Sequence, residues 1–368
     1  MDNLELQLTG MAHGGKAVGR YKGKAVFVPY GIAGERIRAQ IEQDKGRFAE
    51  ASIVEILESS DARTQPRCLH FGICGGCHWQ HIAYNAQLEF KRQIVQDQLV
   101  RIGRFKDVPV NPTLPSPDPW YYRSHISLHT TEAGEPGFVA ANSSSVIPIH
   151  ECHIIRPELL EMLQNLPPLK PREQLRLQVG SLTSSDARVH YKIKDRTFQV
   201  TVGSFFQVNL AQAEVLVSLV LEKLALQGSE HVLDLYSGVG LFTAFLAERA
   251  RRVTAIESSP GAVRDAKENL SAWKHVEILE GKAEVVLRHQ RFDAVVTDPP
   301  RTGMKLKVLT ALSKCLPPKI VYVSCDPATF ARDARHLAEN GYLLVEVQPV
   351  DMFPQTYHIE LVGTLVRA

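Results

Sequence analysis

A chain of 368 residues, 44% hydrophobic and 22% charged, exceeds one ordinary core and is too apolar for a disordered protein, so two or three folded units are expected. A net charge of +2 says little about partners. The opening MDNLELQLTG has no basic or apolar leader and no eighteen apolar residues run together, so a cytoplasmic chain without a membrane partner is expected.

Residues 1–58 read as short strands separated by glycines: Leu4 to Leu8, a turn-rich stretch from Gly10 to Gly19, Ala25 to Val28, Glu35 to Ile41 and Ala49 to Ile56. Strands this short suggest a small closed barrel of the oligonucleotide-binding kind. Lys16, Arg20, Lys22 and Lys24 are its candidate phosphate contacts, with a merely solvated barrel as the alternative. Residues 59–200 form a mixed middle unit with 16 basic and 13 acidic side chains and eight of the fourteen histidines, which suits a polyanion partner. A helix is expected from about Asn85 to Ile102, with Leu88, Val95, Leu99 and Ile102 on its apolar stripe and the possibility of packing on the last unit.

The middle unit also holds Cys68, Cys74 and Cys77 on one loop and a distant Cys152. In a cytoplasmic chain this spacing argues for metal over disulfides. Zinc and an iron-sulfur cluster both accept four thiolates, and spacing alone leaves both open.

From residue 201 to 368 strands and helices alternate, the rhythm of a doubly wound α/β sheet of Rossmann type. Strands are expected at His231–Leu235, Val253–Glu257, Val276–Leu279, Phe292–Thr297, Ile320–Ser324, Tyr342–Val350 and His358–Val366, the last two as an antiparallel pair. The turn Asp234-Leu235-Tyr236-Ser237-Gly238-Val239-Gly240 ends the first strand and opens a helix, and Glu257 closes the second, placed to accept from ribose hydroxyls. A turn without a third glycine, together with Asp298-Pro299-Pro300-Arg301 after the fourth strand, favours S-adenosylmethionine over a dinucleotide.

Cys325 lies between the fifth strand and a helix start, where helix amides can favour thiolate. A thiolate adding to carbon 6 of uracil makes carbon 5 nucleophilic enough to accept a methyl group. Arg301, with Asp298, is the candidate for stabilising charge on oxygen 4, and Glu360 is the candidate base for the carbon-5 proton. Cys315 reads as core packing.

These residues resemble the RNA 5-methyluridine methyltransferase family over nearly the whole chain: a TRAM-type barrel around Gly10-Met11-Ala12-His13-Gly14-Gly15, the cysteine-rich middle, and a class I methyltransferase sheet. The resemblance implies Cys325 of Ser-Cys-Asp-Pro as nucleophile and Glu360 of His-x-Glu as base. Ser204-Phe205-Phe206-Gln207-Val208-Asn209 implies Gln207 in contact with cofactor and base, and Phe205 stacking on a base. Tyr236, Gly238, Glu257 and Asp298 become cofactor contacts, and Leu241 departs from the polar residue expected after the turn. Cys68, Cys74, Cys77 and Cys152 become ligands of a structural 4Fe-4S cluster. The implied reaction is methylation of uridine carbon 5 in RNA, ribosomal 23S RNA before the transfer RNA T-loop, with no obligate protein partner. Rival readings are an exocyclic-amine methyltransferase, a folate-dependent methyltransferase and a catalytically silent RNA-binding iron-sulfur protein.

Overall fold

Alternating side chains in the first fifty-eight residues close a five-stranded barrel. In this computed structural model, which describes residues 4–368 apart from 142, 180, 183–187 and 288–289 and only the backbone of 181–182, the barrel strands are β1 (Leu4–Met11), β2 (Ala17–Tyr21), β3 (Lys24–Val28), β4 (Arg36–Asp44) and β5 (Phe48–Glu58), ordered β1-β2-β3-β5-β4. Leu4, Leu6 and Leu8 point inward while Glu5 and Gln7 face solvent. Much of the stretch expected as turn, Gly10 to Gly19, is strand instead. Gly19 sits inside β2 because a Cβ there would lie 2.5 Å from the Gln7 carbonyl oxygen, so this glycine serves close strand approach and not a turn. Two of the expected phosphate contacts are engaged elsewhere: Lys16 pairs with Glu50 at 2.8 Å and Lys24 with Asp44 at 2.7 Å.

The helix expected near residues 85–102 is α1 (Tyr84–Gln98), which widens into a π turn over Leu99–Gly103. Its buried face is Gln87, Lys91, Ile94, Val95 and Gln98, whereas Ile102 is exposed because the wider turn rotates it off the stripe. The middle sheet runs in the order β10-β9-β6-β7-β8, from β6 (His125–Thr130), β7 (Pro136–Val139), β8 (Val146–Pro148), β9 (Gln174–Gln178) and β10 (Ser181–Leu182). Helix α2 (Pro157–Gln164) packs on it through Leu159 and Leu163. The hairpin β11 (Arg188–Ile193) and β12 (Arg196–Thr201) shares a core with α3 (Leu210–Leu224) and the last sheet.

That sheet has seven strands: β13 (His231–Leu235), β14 (Arg252–Glu257), β15 (Val276–Glu280), β16 (Ala294–Thr297), β17 (Lys319–Ser324), β18 (Tyr342–Val350) and β19 (Glu360–Arg367). Their order is β15-β14-β13-β16-β17-β19-β18, parallel through the first five, with β19 antiparallel to both neighbours. Its connecting helices are α4 (Leu241–Leu246), α5 (Pro260–Asn269), α6 (Ala283–Val286), α7 (Leu306–Cys315) and α8 (Pro327–Ala338). The proline-rich segment after α1 covers the β18 edge: Asn111 N–H donates to Val347 O at 2.9 Å and Leu114 N–H to Pro349 O at 2.9 Å. An edge so paired is closed to further strands.

The loop from Asp351 to Ile359, between β18 and β19, gathers contacts from every other part of the chain. Lys91 Nζ of α1 lies 2.5 Å from Asp351 Oδ1, both side chains fully buried. Gln87 exchanges two hydrogen bonds with Gln355, donating to its Oε1 and accepting from its backbone N–H. The backbone N–H groups of His78 and Trp79 both donate to Gln355 O at 3.0 Å. Tyr122 OH donates to Pro354 O at 3.0 Å, and Gln212 Nε2 of α3 to Asp351 O at 2.9 Å.

Removing one member of a buried ion pair strands the other charge, so Lys91→Ala is expected to destabilise the chain by about 3–5 kcal/mol in urea denaturation. Lys91→Met combined with Asp351→Leu should recover much of the loss, because neither charge then remains. A Lys91→Ala loss below about 1 kcal/mol would show that the pair does not hold the loop.

Candidate functional site

The first residue of β19 meets the last residues of the parallel strands because β19 runs opposite to β17, pairing Ser324 with Leu361. One sheet edge therefore carries Glu257 after β14, Tyr236 and Gly238 after β13, Asp298 after β16, Cys325 after β17 and Glu360 at the start of β19. In open α/β sheets this is where ligands bind.

Cys325 opens onto a cavity of about 340 Å³ that is also lined by His13, Gly14, Arg301, Asp326, Tyr357 and His358. Asp326 caps α8: its Oδ1 accepts from the backbone N–H groups of Ala328 at 3.0 Å and Thr329 at 2.8 Å. Those amides, which sequence reasoning assigns to stabilising a thiolate, are spent on Asp326. The thiol of Cys325 is consequently not lowered but pushed up to about 12, by burial first and then by the neighbouring Glu360 and Asp298 carboxylates, with the Arg301 guanidinium working the other way. Glu360 is 3% exposed, and burial together with Asp298 holds it well above the usual carboxylate range, again opposed by Arg301. Burial and Asp234 raise Asp298 to about 7. His358 is lowered to about 3 by burial and Arg301, so it stays neutral beside that cation.

The glycine turn holds a second group of predicted residues. Tyr236 adopts φ 66°, and the backbone N–H groups of Tyr236 and Ser237 donate to Ile256 O at 2.9 and 3.1 Å, which locks the turn onto β14. Glu257 is fixed by three amides: Gly238 to Oε2 at 3.0 Å, Ser258 and Ser259 to Oε1 at 2.6 and 2.7 Å. Asp234, raised to about 7 by burial, accepts from Thr243 Oγ1 at 2.5 Å through Oδ2. Its Oδ1 and the Ser237 hydroxyl are buried without partners, donors and acceptors that a polar ligand at this turn would satisfy. The turn thus fits a nucleoside ligand such as S-adenosylmethionine. Leu241 is buried in the core at the head of α4 and offers no polar contact.

Gln207 is buried between β12 and α3, while Phe205 is 70% exposed. Phe205 borders a separate cleft of about 540 Å³ lined by Arg123, His125, His129, Arg176 and Gly76. The Nε atoms of Arg123 and Arg176 are buried there without partners.

Cys68, Cys74, Cys77 and Cys152 line one narrow cleft of about 20 Å³ together with His70, Arg123 and His153. Burial raises all four thiols, Cys77 to about 12, and each of Cys74 and Cys77 is raised further by Cys152. Among the described residues no group of three or more His, Cys, Asp or Glu side chains is arranged to hold a single metal ion. Cys315 is buried, its thiol donating to Leu287 O at 3.7 Å.

Sequence reasoning missed His13, Asp326, Tyr357 and His358 as pocket residues. His358 and Asp326 flank motif residues and could have been suspected, whereas nothing local links His13 to a strand edge three hundred residues away.

Because its thiol stands near 12, Cys325 is expected to react slowly with iodoacetamide at pH 7.5 and faster with each added pH unit, followed by peptide mass spectrometry. Arg301→Ala removes the group that favours thiolate, so labelling should slow further. Labelling of Cys325 faster than a free cysteine thiol at the same pH would contradict the electrostatics.

Residues 181–368 match the family described as tRNA (uracil-5-)-methyltransferase, and residues 3–54 match the TRAM domain. Similar proteins include one named uncharacterized RNA methyltransferase from Caldanaerobacter subterraneus subsp. tengcongensis, 33% identical with 100% of this chain and 98% of that protein covered. Another of that name from Halalkalibacterium halodurans is 32% identical over 99% and 97%. The crystal structure of Pyrococcus abyssi tRNA (uracil-54, C5)-methyltransferase in complex with S-adenosyl-L-homocysteine superposes with a TM-score of 0.77 at 28% identity, covering 99% of this chain and 100% of that one. With a matching strand-edge site, a family match over half its length and whole-length relatives of this kind, the chain belongs to the tRNA (uracil-5-)-methyltransferase family of RNA-modifying enzymes.

Proposed function

We propose that the protein methylates carbon 5 of a uridine in RNA through a covalent bond between Cys325 Sγ and carbon 6. The observation that carries this reading is that Cys325 and Arg301 line one pocket while the buried carboxyl of Glu360, next in the chain to the lining residue Ile359, is close enough to act on the Cys325 thiol. Tyr236, Gly238, Glu257, Gln207 and Asp298 hold S-adenosylmethionine, which when bound supplies a methyl group on a positively charged sulfur. Cys325 gives its proton to solvent and adds to carbon 6, and the displaced electron pair moves toward oxygen 4, where Arg301 stabilises it while Asp298 fixes the base edge. Carbon 5 takes the methyl group. Glu360 then accepts the carbon-5 proton, carbon 5 and carbon 6 regain their double bond, and the Cys325 thiolate leaves. A carboxylate raised by burial suits this role, because a base effective near neutrality needs a pKa well above that of a solvated glutamate.

The target base has to leave its stack for the thiol to approach from above the ring. Phe205 and the arginine-lined cleft are suited to the neighbouring nucleotides, by stacking and phosphate contact. Ribosomal 23S RNA is the substrate suggested by a barrel combined with the cysteine loop. The Pyrococcus abyssi relative, described as acting on uracil 54 of tRNA, favours a transfer RNA T-loop as the second reading. The four cysteines hold a 4Fe-4S cluster, a reading supported by their shared cleft, and the cluster clamps the 68–77 loop against Cys152.

RNA containing 5-fluorouridine should form a heat-stable complex with the protein in the presence of cofactor, because fluorine blocks proton removal. Cys325→Ser should abolish the complex, and sequencing the trapped RNA separates the two substrates. Glu360→Gln should accumulate the adduct on ordinary RNA; free turnover by that variant would remove Glu360 from the mechanism. Protein purified without oxygen should absorb near ~400 nm and contain iron and sulfide, whereas stoichiometric zinc without iron would refute the cluster.

A further inference from the structure

The loop between β1 and β2 leaves the barrel and reaches the Cys325 pocket. It is closed by hydrogen bonds from Gly15 N–H to Ala12 O at 2.9 Å and from Ala12 N–H to Lys16 O at 2.8 Å. At Gly15, φ is +84° and a Cβ would lie 2.7 Å from the Tyr357 side chain, so the loop backbone rests directly on the pocket wall. The Trp79 indole N–H donates to Gly15 O at 2.9 Å and fixes the loop from the other side. Seated in this way, the loop delivers His13 into the pocket with Nε2 at 3.4 Å from Asp326 Oδ2. A Cβ on Gly14 would meet nothing within 4 Å, so open space adjoins His13.

We propose that His13 is a positioning residue for the target nucleotide, binding its phosphate at the pocket rim while Cys325 and Arg301 engage the base. The inference rests on the reading of this pocket as the uridine site. A cavity of about 340 Å³ has room for a nucleotide and not only a pyrimidine ring. The lining residues set the orientation. Cys325 and Arg301 take the base, which leaves the phosphate toward His13 and Gly14 on the barrel-loop side of the pocket. There the barrel loop brings the His13 imidazole, whose ring nitrogen can donate to a phosphate oxygen, beside the open space at Gly14, while Lys16 of the same loop is tied to Glu50. Asp326 lies on the same rim and acts as the resting partner of His13. An incoming phosphate offers more acceptor oxygens and takes its place.

The test uses the full chain with in vitro transcribed 23S RNA and transfer RNA, comparing wild type, His13→Ala and His13→Gln. With the transcript that wild type methylates, His13→Ala should raise the KM for RNA about tenfold, the worth of one charge-assisted hydrogen bond, with kcat and the KM for S-adenosylmethionine within about twofold. His13→Gln keeps a donor and should recover part of the loss. The logarithmic salt slope of RNA binding should shrink in His13→Ala by about 0.7, one phosphate's share on a single strand. An RNA KM within about twofold of wild type, or an unchanged salt slope, overturns the proposal. So does a joint loss of melting temperature and cofactor affinity in both variants, which would mark the loop as structural only. Absence of methyl transfer by wild type to either RNA would instead strike down the uridine reading, and the inference with it.

Discussion

The loop between the last two strands is the constraint on which the site depends. Glu360 begins β19 at its end, and Tyr357 and His358 form the pocket wall within it. Its backbone is held by α1, the cysteine loop, the middle sheet's Tyr122 and the catalytic domain's α3, each through a buried hydrogen bond or ion pair. Gln355 takes φ 66°, a conformation a non-glycine side chain adopts only when its surroundings hold it there. Gln87, His78 and Trp79 supply that hold. The pocket wall is thereby shared among all parts of the molecule, and rotation of any one would displace Glu360.

Electrostatics along the sheet edge follow from how the strands end. Glu257, Asp234 and Asp298 arrive on the neighbouring strands β14, β13 and β16, Glu360 arrives on β19 beyond β17, and Asp234, Asp298 and Glu360 each sit above the normal carboxylate range through burial and a neighbour of like charge. The same field, added to burial, keeps Cys325 a thiol in the free protein. A thiol held in its neutral form resists alkylation and oxidation, which act on thiolate. Arg301 is the counterweight, exposed on the rim and favouring the anionic forms of both Cys325 and Glu360.

The barrel and the middle unit meet the catalytic edge from different sides. The barrel contributes a single loop seated on Tyr357, and the cysteine loop contributes His78, whose ring lies 4.5 Å from that of Tyr357. One aromatic side chain is thus touched by both, and the cysteine cleft is two residues of backbone from the pocket wall. The second cleft, with Phe205 at its mouth, opens between the middle sheet and the β12–α3 connection. Nucleotides on both sides of a target would find separate surfaces, consistent with recognition of single-stranded RNA by shape and stacking.

The sequence by itself determined the barrel, the positions of the strands in the last sheet, and the residues at their carboxyl ends, because period-two alternation, glycine turns and strand-end motifs are local signals, whereas the insertion of β19 between β17 and β18 is visible only in the fold. It failed at Gly19, where a glycine inside a strand mimics a turn, and along α1, where Gln87 and Lys91 are core residues that a solvated helix face would equally explain. Only the tertiary structure decided that Lys91 is buried against Asp351, that His13 enters the Cys325 pocket, and that Asp326 takes the amides expected to serve the thiol. Each of these depends on a partner that is distant in sequence or on competition between neighbouring groups. Burial and charge coupling arise from where the chain folds back on itself, and residue order contains no direct measure of either.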